Sequence, residues 1–176
     1  QTGYSSPVLM SLRGVTQVVA ATADKVFGVN AEDGSVLWSH PALGGPRQSP
    51  IQLPGNRMFV TCWQESAVLE VTLDGDAWKV QEVWRKPIFK STYSPTLYHE
   101  GHLYGMNGTY LSCHDAATGE LKWREKIYNA SLILVGTHLA ILGERSGNFH
   151  LVEARPDGFH EELKVPVFTP GARSMT

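Results

Sequence analysis

"DAATGELKW", residues 115–123, repeats an earlier phrase of the same chain, "NAEDGSVLW", residues 30–38. In both, a short polar residue (Asn30, Asp115) is followed four positions later by glycine (Gly34, Gly119) and four beyond that by tryptophan (Trp38, Trp123). Such a phrase is either a site used twice or the joint of a repeated building block, and its surroundings favour the joint. Ser-Pro recurs as Ser6-Pro7, Ser49-Pro50 and Ser94-Pro95, in steps of 43 and 45 residues, each time opening an apolar stretch: "SPVLMSL", "SPIQL" and "SPTLY". A turn follows in each (Arg13-Gly14; Pro54-Gly55-Asn56; His99-Glu100-Gly101), then "TQVVAA", "RMFVTCW" or "HLYGM", then "KVFGVN", "AVLEVTL" or "YLSCHD". A glycine-containing turn leads to the last stretch, "SVLWSH", "VQEVWRK" or "ELKWRE". A fourth unit keeps the rhythm with "SLILV", "HLAILG", "NFHLVEA" and "FHEELKV", but four residues after its Gly158 stands Glu162 instead of tryptophan.

No segment sustains apolar residues at the i, i+3, i+4, i+7 spacing of a helix, whereas short apolar runs bounded by Gly, Asp, Asn and Pro recur throughout. The chain is therefore expected to be all-β. Four-stranded units repeating every 40 to 45 residues match the blade period of a β-propeller. The expected units are residues 3–42, 46–88, 91–128 and 130–166 of a single propeller region spanning 1–176, with the start of a further unit at 171–176, where "GARSMT" lines up with "GPRQSP" at 45–50. Four blades are expected to be an arc of a seven- or eight-bladed ring, completed by a second copy as a homodimer or by blades of a longer chain. In this frame the glycine allows a tight turn into the outermost strand, and the tryptophan ending that strand covers the neighbouring blade.

The motif Ala-x-Asp-x-x-Thr-Gly-x-x-x-Trp, with units introduced by Ser-Pro, resembles the repeat of the pyrroloquinoline-quinone-type (PQQ-like) propellers. These include the quinoprotein alcohol dehydrogenases and the non-enzymatic outer-membrane assembly lipoprotein. The third unit matches best, with Asp115, Thr118, Gly119 and Trp123 in register and Cys113 in place of the alanine. The first carries Gly28, Asn30 and Asp33 at the alanine, aspartate and threonine positions, then Gly34 and Trp38. In the second, Gly75 and Trp84 are separated by an enlarged turn, "DGDAWKVQEVW". The resemblance covers nearly the whole chain and specifies fold far more than activity. It implies an extracytoplasmic setting, periplasmic or secreted.

Composition is that of a globular protein, with 42% hydrophobic and 18% charged residues. Fifteen basic against seventeen acidic residues leave a formal charge of -2 and no basic stripe, so nucleic acid is not an expected partner. No apolar run approaches the roughly 18 residues of a membrane span. The opening "QTGYSSPVLM" lacks the charged region and apolar core of a signal peptide, as expected of a mature or shortened chain. Cys62 and Cys113 lack the spacings of zinc, redox or haem motifs and are expected to be buried strand thiols.

Candidate sites each have a plainer structural explanation. "HEGH", residues 99–102, supplies two imidazoles where a zinc site needs three or four ligands, and it falls in a hairpin turn. His114 and Asp115 are neighbours in a strand, so they face opposite ways; Asp115 is expected to cap a turn. Glu161-Glu162 is expected to be a solvated edge that charge protects against edge pairing. Ser-Pro marks a strand start rather than a nucleophile, because no GxSxG elbow is present. Asn107-Gly108-Thr109 and Asn129-Ala130-Ser131 fit the glycosylation sequon, relevant only in a eukaryotic secretory pathway. In the dehydrogenases of the resembled family a quinone sits on the propeller axis with calcium, an adjacent cysteine pair lies over it, and a haem motif is often present. This chain has no Cys-Cys and no CxxCH. The expectation is thus a non-catalytic scaffold that binds proteins, with no cofactor, metal or catalytic residue. The alternatives are a fragment of a quinoprotein dehydrogenase or a sensor domain of a larger protein.

Overall fold

The computed structural model describes residues 5–41, 44–63, 65–90 and 94–168. Its sixteen strands form four four-stranded antiparallel sheets, and the chain is an all-β propeller fold of four blades. The chain divides into two compact units, residues 1–90 and 91–176. "GARSMT", with its expected further strand, lies outside the described residues.

In the first unit, β1 (Val8–Leu12), β2 (Val15–Ala21), β3 (Lys25–Asn30) and β4 (Val36–Pro41) make one meander. The second is β5 (Ile51–Leu53), β6 (Arg57–Thr61), β7 (Ser66–Asp74) and β8 (Ala77–Lys86). Alternation along the strands places Met10, Leu12, Val19, Val26 and Trp38 against Met58, Val60, Ala67, Leu69 and Val71 in one core between the two sheets. Side-chain amides stitch the first strands together. Gln52 Oε1 accepts from Ser11 N (3.1 Å) while its Nε2 donates to Ser11 O (3.0 Å), and Asn56 Oδ1 accepts from Arg13 N (2.7 Å).

The second unit repeats the plan with β9 (Leu97–His99), β10 (His102–Asn107), β11 (Tyr110–Asp115) and β12 (Leu121–Lys126), followed by β13 (Ala130–Val135), β14 (His138–Gly143), β15 (Asn148–Glu153) and β16 (Glu161–Pro166). Tyr104, Met106, Leu111, Cys113 and Trp123 of the third sheet pack on Leu132, Leu139, Ile141 and Val152 of the fourth. Arg13-Gly14 and Glu100-Gly101 both have positive φ throughout, the primed-turn geometry that matches strand twist. "HEGH" is thus a hairpin, with His99 and His102 paired across it.

Every sheet carries a β-bulge at one place. Trp38 faces Gly28, Trp84 faces Val68 and Trp123 faces Cys113, and in each pair the register slips by one residue immediately afterwards. In the fourth sheet Leu163 faces Leu151 ahead of the same slip, so the tryptophan position is held by Leu163, one residue beyond Glu162. The enlarged turn expected after Gly75 is instead a longer ladder, paired from Leu69↔Glu82 out to Asp74↔Ala77, with Gly75 at its tip. Alternating side chains such as Val71 opposite Val80 and Leu73 opposite Trp78 extend the pairing where loop chemistry would have ended it.

Candidate functional site

The repeated phrase closes a turn. Asp115 Oδ1 accepts the N–H groups of Ala117 (2.9 Å) and Thr118 (3.0 Å), Thr118 Oγ1 accepts that of Glu120 (3.2 Å), and Gly119 N donates to Asp115 O (2.8 Å). In the first sheet Asn30 Oδ1 takes the N–H of Glu32 (3.0 Å), Asp33 Oδ1 that of Ser35 (2.8 Å), and Gly34 N donates to Asn30 O (3.0 Å). Both glycines sit at positive φ, 77° for Gly34 and 69° for Gly119, where a Cβ is strained. Burial pushes the Asp115 carboxyl up, but the Thr118 and Ala117 N–H groups and Lys122 outweigh it, holding the group below the usual aspartate value. The phrase directs these polar groups into its own backbone.

The tryptophans differ in aim. Trp38 Nε1 donates to Oε1 of the fully buried Gln17 (2.7 Å) within its own sheet. Trp123 Nε1 donates to Arg155 O (2.7 Å), and its ring meets Phe159 edge-on at 5.8 Å, both beyond β15 in the next sheet. Trp84 lies 6.0 Å from Phe59 of its own sheet. Cys62 and Cys113 are buried thiols outside any disulfide, and burial pushes the Cys113 thiol up to about 11, far from the thiolate a nucleophile needs. His114 is buried with Nδ1 3.2 Å from Gly119 O, another turn contact.

One cluster was not legible in the sequence. His138, Glu153 and Glu162 come from β14, β15 and β16, and their ligand atoms all lie within 4.8 Å of one another. His138 faces Glu153 across the ladder, and Glu162 is the extra residue of the bulge. The expected solvated pair of glutamates therefore has partners. Glu161 Oε1 is 2.5 Å from Nδ1 of the buried His150, and Glu162 Oε2 is 3.0 Å from His138 Nε2. Only the register, bulge included, reveals this, because the three residues are far apart in sequence and follow no motif.

The chain matches no protein-family model, and no curated protein is similar to it in sequence. Solved structures are similar in fold. BamB from Moraxella catarrhalis superposes with a TM-score of 0.63 at 12% identity, over 92% of this chain and 52% of that one. Quinohemoprotein alcohol dehydrogenase from Comamonas testosteroni gives a TM-score of 0.65 at 14% identity, over 97% of this chain and 35% of that one. The fold is that of a PQQ-like β-propeller. The chain spans about half the length of the first neighbour and about a third of the second. At these identities the likeness speaks for the fold and leaves activity to the residues of this chain.

Proposed function

We propose that the chain is part of a non-catalytic PQQ-like propeller that acts as a protein-binding scaffold outside the cytoplasm. The observation that carries this reading is the employment of the repeated phrase: the oxygens of Asn30, Asp33, Asp115 and Thr118 accept backbone N–H groups of their own turns, so the most regular feature of the sequence builds blades. The first strands, "VLMSL", "IQL", "LYH" and "ASLILV", carry no Asp or Glu. A quinone held on the propeller axis with calcium needs oxygen ligands and a carboxylate base there, and these residues do not suit it. Trp63 favours protein binding. It is 62% exposed, with the Arg47 guanidinium 3.2 Å from its ring centroid, and Trp and Arg are the residue types that most often anchor protein interfaces. Among the described residues no helix is long and apolar enough to cross a membrane.

Titration with pyrroloquinoline quinone and calcium, followed by absorbance and melting temperature, tests the non-catalytic part. The expected outcome is no saturable change in either signal. A stoichiometric, saturable shift would establish the dehydrogenase alternative.

A further inference from the structure

The cluster of His138, Glu153 and Glu162 gains meaning when the four sheets are compared at the same register positions. On the third strand of each sheet, the residue two beyond the one that faces the tryptophan position is paired with one on the second strand: Asn30 faces Gln17, Glu70 faces Arg57, Asp115 faces His102 and Glu153 faces His138. In the second and third sheets this carboxylate has a cationic partner within the same sheet. Arg57 Nε donates to Glu70 Oε1 at 3.0 Å, and Nζ of Lys122, the bulge residue, lies 3.3 Å from Asp115 Oδ2. In the first sheet the pair is uncharged. In the fourth, the bulge position that holds Lys122 in the third is occupied by Glu162, so a second carboxylate stands where the third sheet has an ammonium. Two carboxylates this close repel unless a positive charge lies between them.

We propose that His138, Glu153 and Glu162 bind a divalent transition-metal cation of the zinc type, which supplies the positive charge that Lys122 supplies in the third sheet.

One imidazole nitrogen and two carboxylates are a donor set that suits zinc and its neighbours better than calcium or magnesium, which take oxygen ligands. His138 Nε2 is shielded from solvent and makes no hydrogen bond; its 3.0 Å approach to Glu162 Oε2 is within ion-pair reach but off the line a hydrogen bond requires. His138 Nδ1 lies 3.2 Å from Thr137 Oγ1. A proton on Nδ1 donated to that hydroxyl leaves the Nε2 lone pair for the metal, the usual way an outer partner fixes a ligating histidine. Among the described residues Arg155 is the one guanidinium bonded to the cluster, and it is shared. Its Nη1 donates to Glu153 Oε2 (3.0 Å) while Nε and Nη2 are held by Asp157, which His160 also approaches at 3.6 Å. The second Glu153 oxygen, both Glu162 oxygens and His138 Nε2 remain for the cation. Donors bound about 2.1 Å from one ion stand roughly 3.4 Å apart in a tetrahedral site. The present spread of up to 4.8 Å closes by rotation of the glutamates, of which Glu162 is exposed and free to turn. Three protein ligands leave a position for water.

The purified chain, stripped with EDTA and dialysed, is titrated with Zn²⁺ by calorimetry and with Co²⁺ by visible absorbance. One ion per chain is expected, with Co²⁺ giving the d–d bands of a four- or five-coordinate site, displaced by Zn²⁺ but not by Ca²⁺. Glu162→Gln and His138→Asn are each expected to weaken binding at least about tenfold. His99→Asn, at the cross-strand pair of His99 and His102, is expected to bind as the parent chain does. Binding is also expected to weaken as the pH falls, because protons compete for the imidazole and carboxylates. Glu162→Gln replaces an exposed side chain by one of equal size, so it keeps the test valid if His138→Asn does not fold. Absence of saturable one-to-one binding, unchanged affinity in Glu162→Gln, or a site that takes Ca²⁺ and ignores Zn²⁺ would each overturn the assignment.

Discussion

Trp38 and Trp123 hold the same place in their sheets, yet one indole bonds within its own blade and the other to the next, and the residue opposite accounts for the difference. Gly28 faces Trp38, and a Cβ there would come under 3.0 Å from Trp38 Cε2 and Nε1 and from Gln17 Oε1. The missing side chain is what lets the ring lie back on Gln17. Cys113 faces Trp123 and fills that space, and the indole reaches Arg155 O instead. Gly28→Ala is therefore expected to destabilise the chain by about 1–3 kcal/mol, as overpacking does, because the ring it displaces is itself buried. Trp38→Ala and Trp123→Ala are each expected to cost about 3–5 kcal/mol, and Trp63→Ala, at the exposed position, less than about 1 kcal/mol. Urea denaturation of the variants measures all four. Equal losses at the three tryptophans would show that Trp38 and Trp123 do not anchor the packed sheets.

The turn before each final strand is a small structure with its own electrostatics, and Asp115 is its centre. Its carboxylate lies below the ordinary aspartate value because N–H donors and Lys122 overcome the cost of burial. A lowered folded-state pKa means that the stabilisation is fully present above the unfolded value near 3.8 and is lost as the pH falls from there through the folded value. Asp115→Asn is thus expected to be less stable than the parent at neutral pH. The gap should narrow between about pH 5 and about pH 2, read as urea midpoints across that range; a gap that stays constant would mean that the charge contributes nothing. The strands and most turns around this element were legible in the sequence, because apolar alternation and paired turn residues such as Glu100-Gly101 are local signals. The bulge was not. It follows from how "TGELKW" packs against "CHD" across the ladder, and propensity does not record an unpaired residue such as Lys122. For the same reason the length of the β7–β8 ladder and the meeting of His138, Glu153 and Glu162 lay beyond a linear reading, since a one-residue slip decides which side chains share a face.

At the scale of the molecule, the two faces of the β13–β16 sheet differ. Leu132, Leu139, Ile141 and Val152 are buried against the third sheet. On the other face Ile133 is 60% exposed, Val135 55% and Leu163, in the tryptophan position, 43%, and Ile133 lines a shallow hollow of about 240 Å³ with residues including Ala140, Leu142 and Phe149. The corresponding faces of the first and third sheets are covered by the sheets that follow them. A PQQ-like neighbour of which this chain spans 52% has further chain with which to cover such a face. The 176-residue chain studied alone is expected to cover it with a second copy, since an apolar sheet face left in water favours association. Size exclusion with light scattering over a concentration series should show a monomer–dimer equilibrium. Ile133→Asp, which places a charge on that face, should weaken it by at least about tenfold, equivalent to about 1.4 kcal/mol. Leu9→Asp tests the specificity of the effect, because Leu9 is as exposed but belongs to the first unit. If Leu9→Asp abolishes the dimer and Ile133→Asp leaves it intact, the association runs through another surface. A monomer at every concentration, with high thermal stability, would mean that the face is stable in water uncovered and that Leu163 in place of tryptophan marks a finished edge rather than a joint.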